Sequence, residues 1–134
     1  MERGDVCLTS VDLPNRPSGV GTAPRRKYVV VLRGGPGSTG EPDVPVAVAS
    51  TNRRPAGRAK RAFEVDVGVA EGFQHETVID CRWPYTMQKS DLSNPAFRLS
   101  AAKMQEVSIA LVSGLQMFPP SPSATALGEP GVVT

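Results

Sequence analysis

The sequence predicts a mainly β fold, a small and strongly bent barrel or sandwich with one C-terminal helix packed on it. Two β-branched apolar runs, residues 28–32 and 44–50, are joined by a Gly- and Pro-rich segment, which is typical of two buried strands of one sheet. Residues 63–69 then alternate apolar and polar side chains with the period of a half-exposed strand. The 134 residues are enough for one domain with a buried core.

The remaining elements follow from the same kinds of pattern. Residues 3–13 alternate and are predicted to form a first strand, whereas residues 14–24 hold three prolines and two glycines and are predicted to form a long loop. Residues 77–82 are predicted to form a fifth strand, with Trp83-Pro84-Tyr85 leaving it. Residues 89–92 are expected to make a short helical turn.

The one segment with helical periodicity follows Ser100, which is a suitable N-cap. Its apolar residues form one stripe of a 3.6-residue period, which we expect to face the core: Met104, Val107, Leu111 and Leu115. Gly114 or the prolines at 119 and 120 are expected to end the helix. We therefore predict a barrel domain over residues 1–117 and a Pro-rich, disordered tail over residues 118–134.

Composition excludes several classes of protein. No apolar run approaches the roughly 18–20 residues that span a bilayer, and the polar N-terminus is unlike a signal peptide, so we expect a cytoplasmic protein without membrane contact. Cys7 and Cys81 lie far apart without a CxxC pattern, and His75 is the single histidine. We therefore predict reduced, core-packing thiols, no metal site and no cofactor.

Positive charge is concentrated in one part of the chain. Residues 13–63 hold ten cations against two acids, whereas the rest of the chain holds five cations against eleven acids. Such segregation is what a face that binds a polyanion requires. A solvated basic loop is the alternative interpretation.

The two apolar runs also predict where chemistry would occur. If residues 28–32 and 44–50 pair antiparallel, the start of one strand lies beside the end of the other. The cations that precede Tyr28 would then share one rim of the sheet with the hydroxyls of Ser50 and Thr51.

Several short motifs occur in an order that resembles the MazF/PemK toxins. They are Arg3-Gly4-Asp5-Val6, a cation before the strand at 28–32, a strand ending at Thr51, Glu76-Thr77-Val78-Ile79, Thr86-Met87-Gln88-Lys89-Ser90, and a helix opening with Leu99-Ser100. The resemblance covers about residues 2–117. It implies an SH3-like barrel of the MazF/PemK/CcdB type and a toxin of a bacterial type II toxin–antitoxin pair.

The resemblance also implies an activity and a catalytic pair. The family cleaves single-stranded mRNA sequence-specifically without a metal, leaving 2′,3′-cyclic phosphate and 5′-hydroxyl ends, through an arginine at the head of the second strand and a threonine at the end of the third. The threonine corresponds to Thr51, and the arginine position corresponds to Lys27, with Arg26 beside it. This is a departure from the family, because the lysine ammonium is a point charge, whereas the planar arginine guanidinium can bind two oxygens at once. The family further implies a homodimer and a cognate MazE-like antitoxin.

The remaining candidate residues are predicted to bind RNA. They are Arg25, Ser50, Arg53, Arg54, Arg58, Lys60, Arg61, Arg82 and Trp83. The cations suit contacts to backbone phosphates, and Trp83, like Tyr85, offers a ring on which a splayed base can stack. Ordinary packing or a solvated loop would explain the same residues. With one histidine in the chain, a two-histidine mechanism within one chain is excluded, and the general base is not assigned.

Two alternative functions stay open. A catalytically weak RNA-binding relative is consistent with the lysine at the arginine position. A CcdB-like gyrase poison shares the barrel and acts by protein–protein contact. The latter class has a Trp-containing helix tip, which this chain lacks, since Leu115-Gln116-Met117 runs into prolines.

Overall fold

The computed structural model describes residues 1–13, 26–34 and 40–116, and shows one antiparallel sheet with one C-terminal helix. The elements are β1 (Asp5–Leu8), β2 (Tyr28–Val31), β3 (Asp43–Thr51), β4 (Glu64–Val67), β5 (Thr77–Gln88), β6 (Phe97–Arg98) and α1 (Ala101–Gln116), with 3₁₀ turns at Val69–Glu71 and Lys89–Asp91. The predicted loop at 14–24 and the predicted tail at 118–134 lie outside the described residues. The domain boundary at residue 117 stays a prediction.

The six strands form a curled half-barrel in the order β4-β5-β3-β2-β1-β6, which confirms the predicted mainly β fold with a C-terminal helix. The long strands β3 and β5 produce much of the curvature. Val46 pairs with Tyr85 but Val48 pairs with Asp80, so Ala47 alone lies opposite residues 81–84. Such a bulge bends the strand and increases its twist.

The alternation of side chains along the strands separates two hydrophobic clusters. On β2, Val30 belongs to one cluster, whereas Val29 and Val31 belong to the other. The first cluster lies under α1 and includes Val6, Ala47, Val65, Ile79, Met104 and Val107. The second includes Cys7, Leu13, Val44, Val46, Val48 and Met87. Burying one such aliphatic side chain stabilises the fold by about 1.5–3 kcal/mol.

The Arg3-Gly4-Asp5 opening has structural roles. The Arg3 guanidinium donates to the Leu32 carbonyl at 3.0 Å and to the Met104 carbonyl at 3.1 Å, and so joins the end of β2 to α1. The buried Asp5 carboxylate accepts from the Glu2 N–H and from Arg98 Nε, both at 2.7 Å. This turn therefore connects the N-terminus, the sheet edge and the helix.

The strand boundaries differ from the prediction by one or two residues at β2, β3 and β4, and by more at β1 and β5. β1 is shorter than predicted, and β5 runs on to Gln88 and includes Trp83-Pro84-Tyr85, which were predicted to leave it. The strand continues because, beyond the bulge, Tyr85 and Thr86 pair with Val46 and Pro45. β6 was not predicted, because a strand of two residues shows no periodicity. The predicted helical turn at 89–92 is present as the 3₁₀ turn Lys89–Asp91.

The helix begins as predicted, but its buried face is different. Ser100 Oγ accepts from the Lys103 N–H at 3.1 Å, which confirms the N-cap. The buried residues are Met104, Val107, Ala110 and Gly114. Leu111 is partly buried, and Leu115 is 65% exposed, so its predicted core position is wrong. The reason is that small residues allow α1 to approach β5 closely on the Ala110 and Gly114 side.

Cys7 and Cys81 are buried free thiols, as predicted. Burial raises the pKa of both thiols, that of Cys81 to about 12, with the Asp80 charge as a smaller cause. Neither thiol is therefore a nucleophile near neutral pH. Among the described residues, no helix has the length and apolar character needed to cross a membrane.

Gly114→Ala is expected to destabilise the protein, although Gly114 lies inside α1. Alanine favours a helix by about 1 kcal/mol over glycine. However, a Cβ at this position would lie 2.7 Å from the Cys81 carbonyl oxygen, and forcing a side chain into packed backbone costs roughly 1–3 kcal/mol. We expect a net loss in the free energy of unfolding, measured by urea denaturation.

The exposed helical residue Gln105 provides the control, since Gln105→Ala should change stability by less than about 0.5 kcal/mol. A Gly114→Ala protein as stable as the wild type, or more stable, would contradict the close helix–strand approach.

Candidate active site

The pairing of β2 with β3 brings the predicted catalytic residues to one rim of the sheet. The two strands are antiparallel, with Tyr28 opposite Ala49, which confirms the predicted pairing. The residues before Tyr28 therefore lie beside the residues that follow Ala49. Arg26 and Lys27 reach this rim from one strand, and Ser50 and Thr51 from the other.

A pocket of about 170 Å³ opens at this rim. Arg26, Lys27 and Tyr28 line one wall, and Ser50 and Thr51 line the next. The remaining lining comes from the segment that leads into β5, with Phe73, Gln74, His75 and Thr77. The site thus presents two cations, several hydroxyls, an amide and an imidazole to one small volume.

Aromatic packing positions the third wall. The Phe73 ring makes edge-to-face contacts with Tyr28, at a centroid distance of 5.9 Å, and with Phe97, at 4.9 Å. Gly72 precedes it with φ +121°, and a Cβ at Gly72 would lie 2.9 Å from the Phe97 ring. Only glycine suits both the backbone conformation and the space at this turn. The segment is consequently fixed against the start of β2.

Backbone hydrogen bonds hold the first two walls. The Lys27 N–H donates to Thr9 Oγ1 at 3.0 Å, and the Thr9 N–H donates to the Lys27 carbonyl at 2.9 Å. At the end of β3, Thr51 pairs with Thr77, and the Asn52 N–H donates to the Glu76 carbonyl at 2.9 Å. These bonds fix the backbone of Lys27 and of Thr51, so their side chains start from defined positions.

Comparison with known proteins finds structures that are similar to this one. Neither a protein-family model nor a curated protein sequence matches the chain. A mycobacterial endoribonuclease in complex with its cognate antitoxin superposes with a TM-score of 0.65 at 18% identity, covering 90% of this chain and 99% of that chain. The chain has the MazF fold.

Two further structures give the same result. The Mycobacterium tuberculosis toxin MazF-mt6 has a TM-score of 0.62 at 19% identity, covering 82% of this chain and 96% of that chain. MazF from Deinococcus radiodurans has a TM-score of 0.63 at 15% identity, covering 87% of this chain and 97% of that chain. The architecture of MazF is therefore present almost in full, and the function must be argued from the site.

The basic loop that follows β3 in this MazF fold divides into two groups of cations. Arg53, Arg58, Lys60 and Arg61 are exposed. Arg54 instead makes ion pairs with Glu64 at 3.2 Å and Asp66 at 2.8 Å, and only 13% of its side chain is exposed. Arg54 therefore connects the loop to β4, and its contact with RNA stays a prediction.

Ser50 lines the pocket, whereas two other predicted RNA contacts, Arg82 and Trp83, are absent from its lining. The Arg82 guanidinium stacks over the Phe63 ring at 4.3 Å and pairs with Asp80 at 3.1 Å, in the bulged part of β5. Trp83, next to it, is 47% exposed. Arg25 lies outside the described residues.

The sequence did not identify the third wall of the pocket. The sequence marked His75 only as the single histidine of the chain, but it lines the pocket together with Gln74. The missing information was the pairing of β3 with β5, because Thr51 opposite Thr77 places the residues just before Thr77 at the same rim. In residues 1–13, 26–34 and 40–116, no group of three or more His, Cys, Asp or Glu side chains is arranged to hold a metal ion.

The Arg54–Asp66 ion pair gives the stability a dependence on pH. The hydrogen bond from Arg54 lowers the pKa of Asp66 below its ordinary value. The stability that the Arg54–Asp66 ion pair contributes is therefore fully present above the unfolded-state pKa of Asp66, near 3.9. It is lost as the pH falls through the lower folded-state pKa. We expect Asp66→Asn to be less stable than the wild type at pH 7, and the difference to shrink below about pH 4.

Urea denaturation of both proteins from pH 7 to pH 3 measures this difference. Glu41→Gln, at an exposed acid on another loop, controls for the removal of one negative charge. A gap between wild type and Asp66→Asn that stays constant over this range would contradict the assignment.

Proposed function

We propose that this protein is the toxin of a toxin–antitoxin pair and a metal-independent, sequence-specific endoribonuclease. It would cleave single-stranded mRNA and leave 2′,3′-cyclic phosphate and 5′-hydroxyl ends. The observation that supports this proposal is the pocket in which Lys27, Arg26 and Thr51 meet on a MazF fold. The similar structures include proteins named endoribonuclease and toxin.

In this proposal, Lys27 and Arg26 bind the scissile phosphate. Attack of the 2′-oxygen on phosphorus places extra negative charge on the phosphoryl oxygens, and fixed cations stabilise that charge more than they stabilise the ground state. The planar guanidinium of Arg26 can donate hydrogen bonds to two phosphate oxygens. The Lys27 ammonium acts as a point charge, and the Lys27 backbone is held by its hydrogen bond to Thr9. The two residues thus share the part that one arginine plays in the family.

Thr51 would donate a hydrogen bond from its hydroxyl to a phosphoryl oxygen, with Ser50 beside it. Thr51 is exposed at the end of β3 and lines the pocket, so its hydroxyl is accessible to a bound phosphodiester. A positioned neutral donor of this kind typically contributes about 10²–10³-fold to the rate of reactions that develop an oxyanion.

The exposed cations of the basic loop would extend the RNA-binding surface away from the pocket. Arg53 lies two residues beyond Thr51, and Arg58, Lys60 and Arg61 follow on the same loop. Contacts of these side chains with phosphates would position the RNA, whereas contacts with bases would determine the sequence that is cut. We assign Arg25 and Arg82 to phosphate contacts, and Trp83 to stacking on a base.

The proposed partners are an antitoxin and a second copy of the chain. The similar structures include complexes of a mycobacterial endoribonuclease with its cognate antitoxin and of MazE with MazF from Deinococcus radiodurans. A MazE-like antitoxin with an acidic segment would compete with RNA for the same cations. A homodimer is the commonest symmetric assembly and is the state that we propose here.

A second candidate function is a catalytically weak protein that binds RNA. Lys27 at the position of the family's arginine favours this candidate, because an ammonium cannot make the bidentate contact of a guanidinium. Cleavage, rather than binding, therefore decides between the two candidates.

Incubation of the purified protein with a long RNA in EDTA is expected to produce discrete cuts with cyclic-phosphate ends. Thr51→Ala should slow cleavage by about 10²-fold or more, because it removes the proposed donor. Arg26→Ala and Lys27→Ala should also slow it strongly, whereas Lys27→Arg should retain it. Primer extension locates the cuts, and the end groups are determined by mass spectrometry.

Thr86→Ala is the matched control for Thr51→Ala, since Thr86 is an exposed threonine on β5 outside the pocket lining. Intact RNA that nevertheless shifts on a gel would favour the RNA-binding candidate. Growth arrest of expressing cells with intact RNA would favour a gyrase poison. Cleavage that EDTA abolishes would contradict the metal-independent mechanism.

A further inference from the structure

The pocket needs a group that accepts the proton of the attacking 2′-hydroxyl. Its titratable side chains in the described part of the chain are Arg26, Lys27, Tyr28 and His75. Arginine, lysine and tyrosine ordinarily hold their protons up to about pH 10 or above, whereas histidine exchanges its proton near neutral pH. The type of residue therefore singles out the imidazole as the acceptor.

We infer that His75 is the general base of this site, an inference that rests on the proposed nuclease function. His75 lines the same pocket as Lys27 and Thr51, and its side chain is exposed. It is the single histidine of the chain. The structure therefore assigns a chemical role to a residue that the catalytic pair of the resemblance does not include.

The backbone on both sides of His75 is anchored, which a positioned base requires. Phe73, two residues before it, is buried between the rings of Tyr28 and Phe97. Thr77, two residues after it, is buried, and its hydroxyl donates to the His75 carbonyl at 2.8 Å. His75 is thus an exposed side chain held between two buried neighbours, and not part of a long unsupported loop.

The acids nearest to His75 in the chain are directed elsewhere. The Glu71 carboxylate accepts from the Gly68 N–H at 2.6 Å. The Glu76 carboxylate packs so closely over Gly68 that a Cβ there would collide with it. Neither acid lines the pocket. Among the residues that the structure describes, the charged groups that share the pocket with the imidazole are the cations Arg26 and Lys27, which hold the phosphate in the proposed mechanism.

The reaction step that follows from this placement is a transesterification. An imidazole nitrogen of His75 takes the proton from the 2′-hydroxyl while the 2′-oxygen forms its bond to phosphorus. The bond from phosphorus to the 5′-oxygen breaks, and the 5′-oxygen takes a proton from water. The proton on His75 then neutralises the hydroxide, so that the enzyme returns to its starting state without net uptake or release of protons.

The rate of RNA cleavage as a function of pH tests the assignment, with enzyme in excess over RNA so that chemistry is observed. The wild-type rate is expected to rise with pH until the base is fully deprotonated and then level off. His75→Ala should be slower by roughly 10²–10⁴-fold and should lose this rise. Added imidazole should restore cleavage by His75→Ala in proportion to its concentration, which a structural role for His75 would not produce.

His75→Gln serves as the second variant, because it keeps a polar side chain of similar length, and it should be as slow as His75→Ala and unresponsive to imidazole. Gln74→Ala removes the neighbouring side chain of the pocket and should keep the wild-type shape of the pH profile. Circular dichroism of each variant checks the fold.

The outcomes separate this inference from the proposed function. If the wild type does not cut RNA at any pH, both are overturned. If the wild type cuts and His75→Ala or His75→Gln keeps its rate and pH profile, the inference alone is overturned. A slower His75→Ala protein that keeps the wild-type pH dependence and does not respond to imidazole would likewise overturn it.

Discussion

The antiparallel pairing of β2 with β3 is the constraint on which the site depends. Cations stand at the start of one strand and hydroxyls at the end of the other, and they meet only because Tyr28 lies opposite Ala49. A slip of one residue would move each β2 side chain to the other face of the sheet. The two hydrophobic clusters prevent such a slip, since Val29, Val30 and Val31 are each fully buried on their own side. The core thus determines the geometry of the rim.

The strand β5, with the segment before it, completes the pocket whose first two walls come from β2 and β3. Its first residue, Thr77, lies opposite Thr51, and the segment before it forms the third wall of the pocket. The same strand carries the bulge that bends the sheet and contacts α1 at Gly114. Packing of the helix, curvature of the sheet and shape of the pocket are therefore linked through one strand.

The sequence predicted the elements that have a clear period, and missed features that depend on tertiary contacts. The β-branched run before Leu32 and the capped segment after Ser100 identified a strand and a helix correctly. The helix face was partly wrong because periodicity ranks Leu115 above Gly114, whereas close approach to β5 selects the smaller residue. The ion pairs of Arg54 were not predictable, because they depend on how the basic loop returns to β4.

The candidate site was predictable to a similar extent. The shared rim of Lys27 and Thr51 followed from a single assumption about strand pairing, which the structure confirms. The position of His75 in the pocket could not be predicted in this way. His75 is far from Thr51 in the sequence, and only the pairing of β3 with β5, which the sequence did not reveal, brings the two residues to the same rim. A local pattern around one histidine carries no information about which strand lies beside it. Contacts between distant segments had to be seen in three dimensions.

The crystal structure of the protein bound to an RNA with a 2′-deoxy group at the cleavage position would show whether the scissile phosphate occupies this pocket. This substitution removes the attacking hydroxyl, so that the intact strand can be observed in place. We expect the scissile phosphate to lie within hydrogen-bonding distance, about 3 Å, of Thr51 Oγ1 and of the Lys27 ammonium or the Arg26 guanidinium. An RNA that binds along the basic loop and leaves this pocket unoccupied would contradict this expectation.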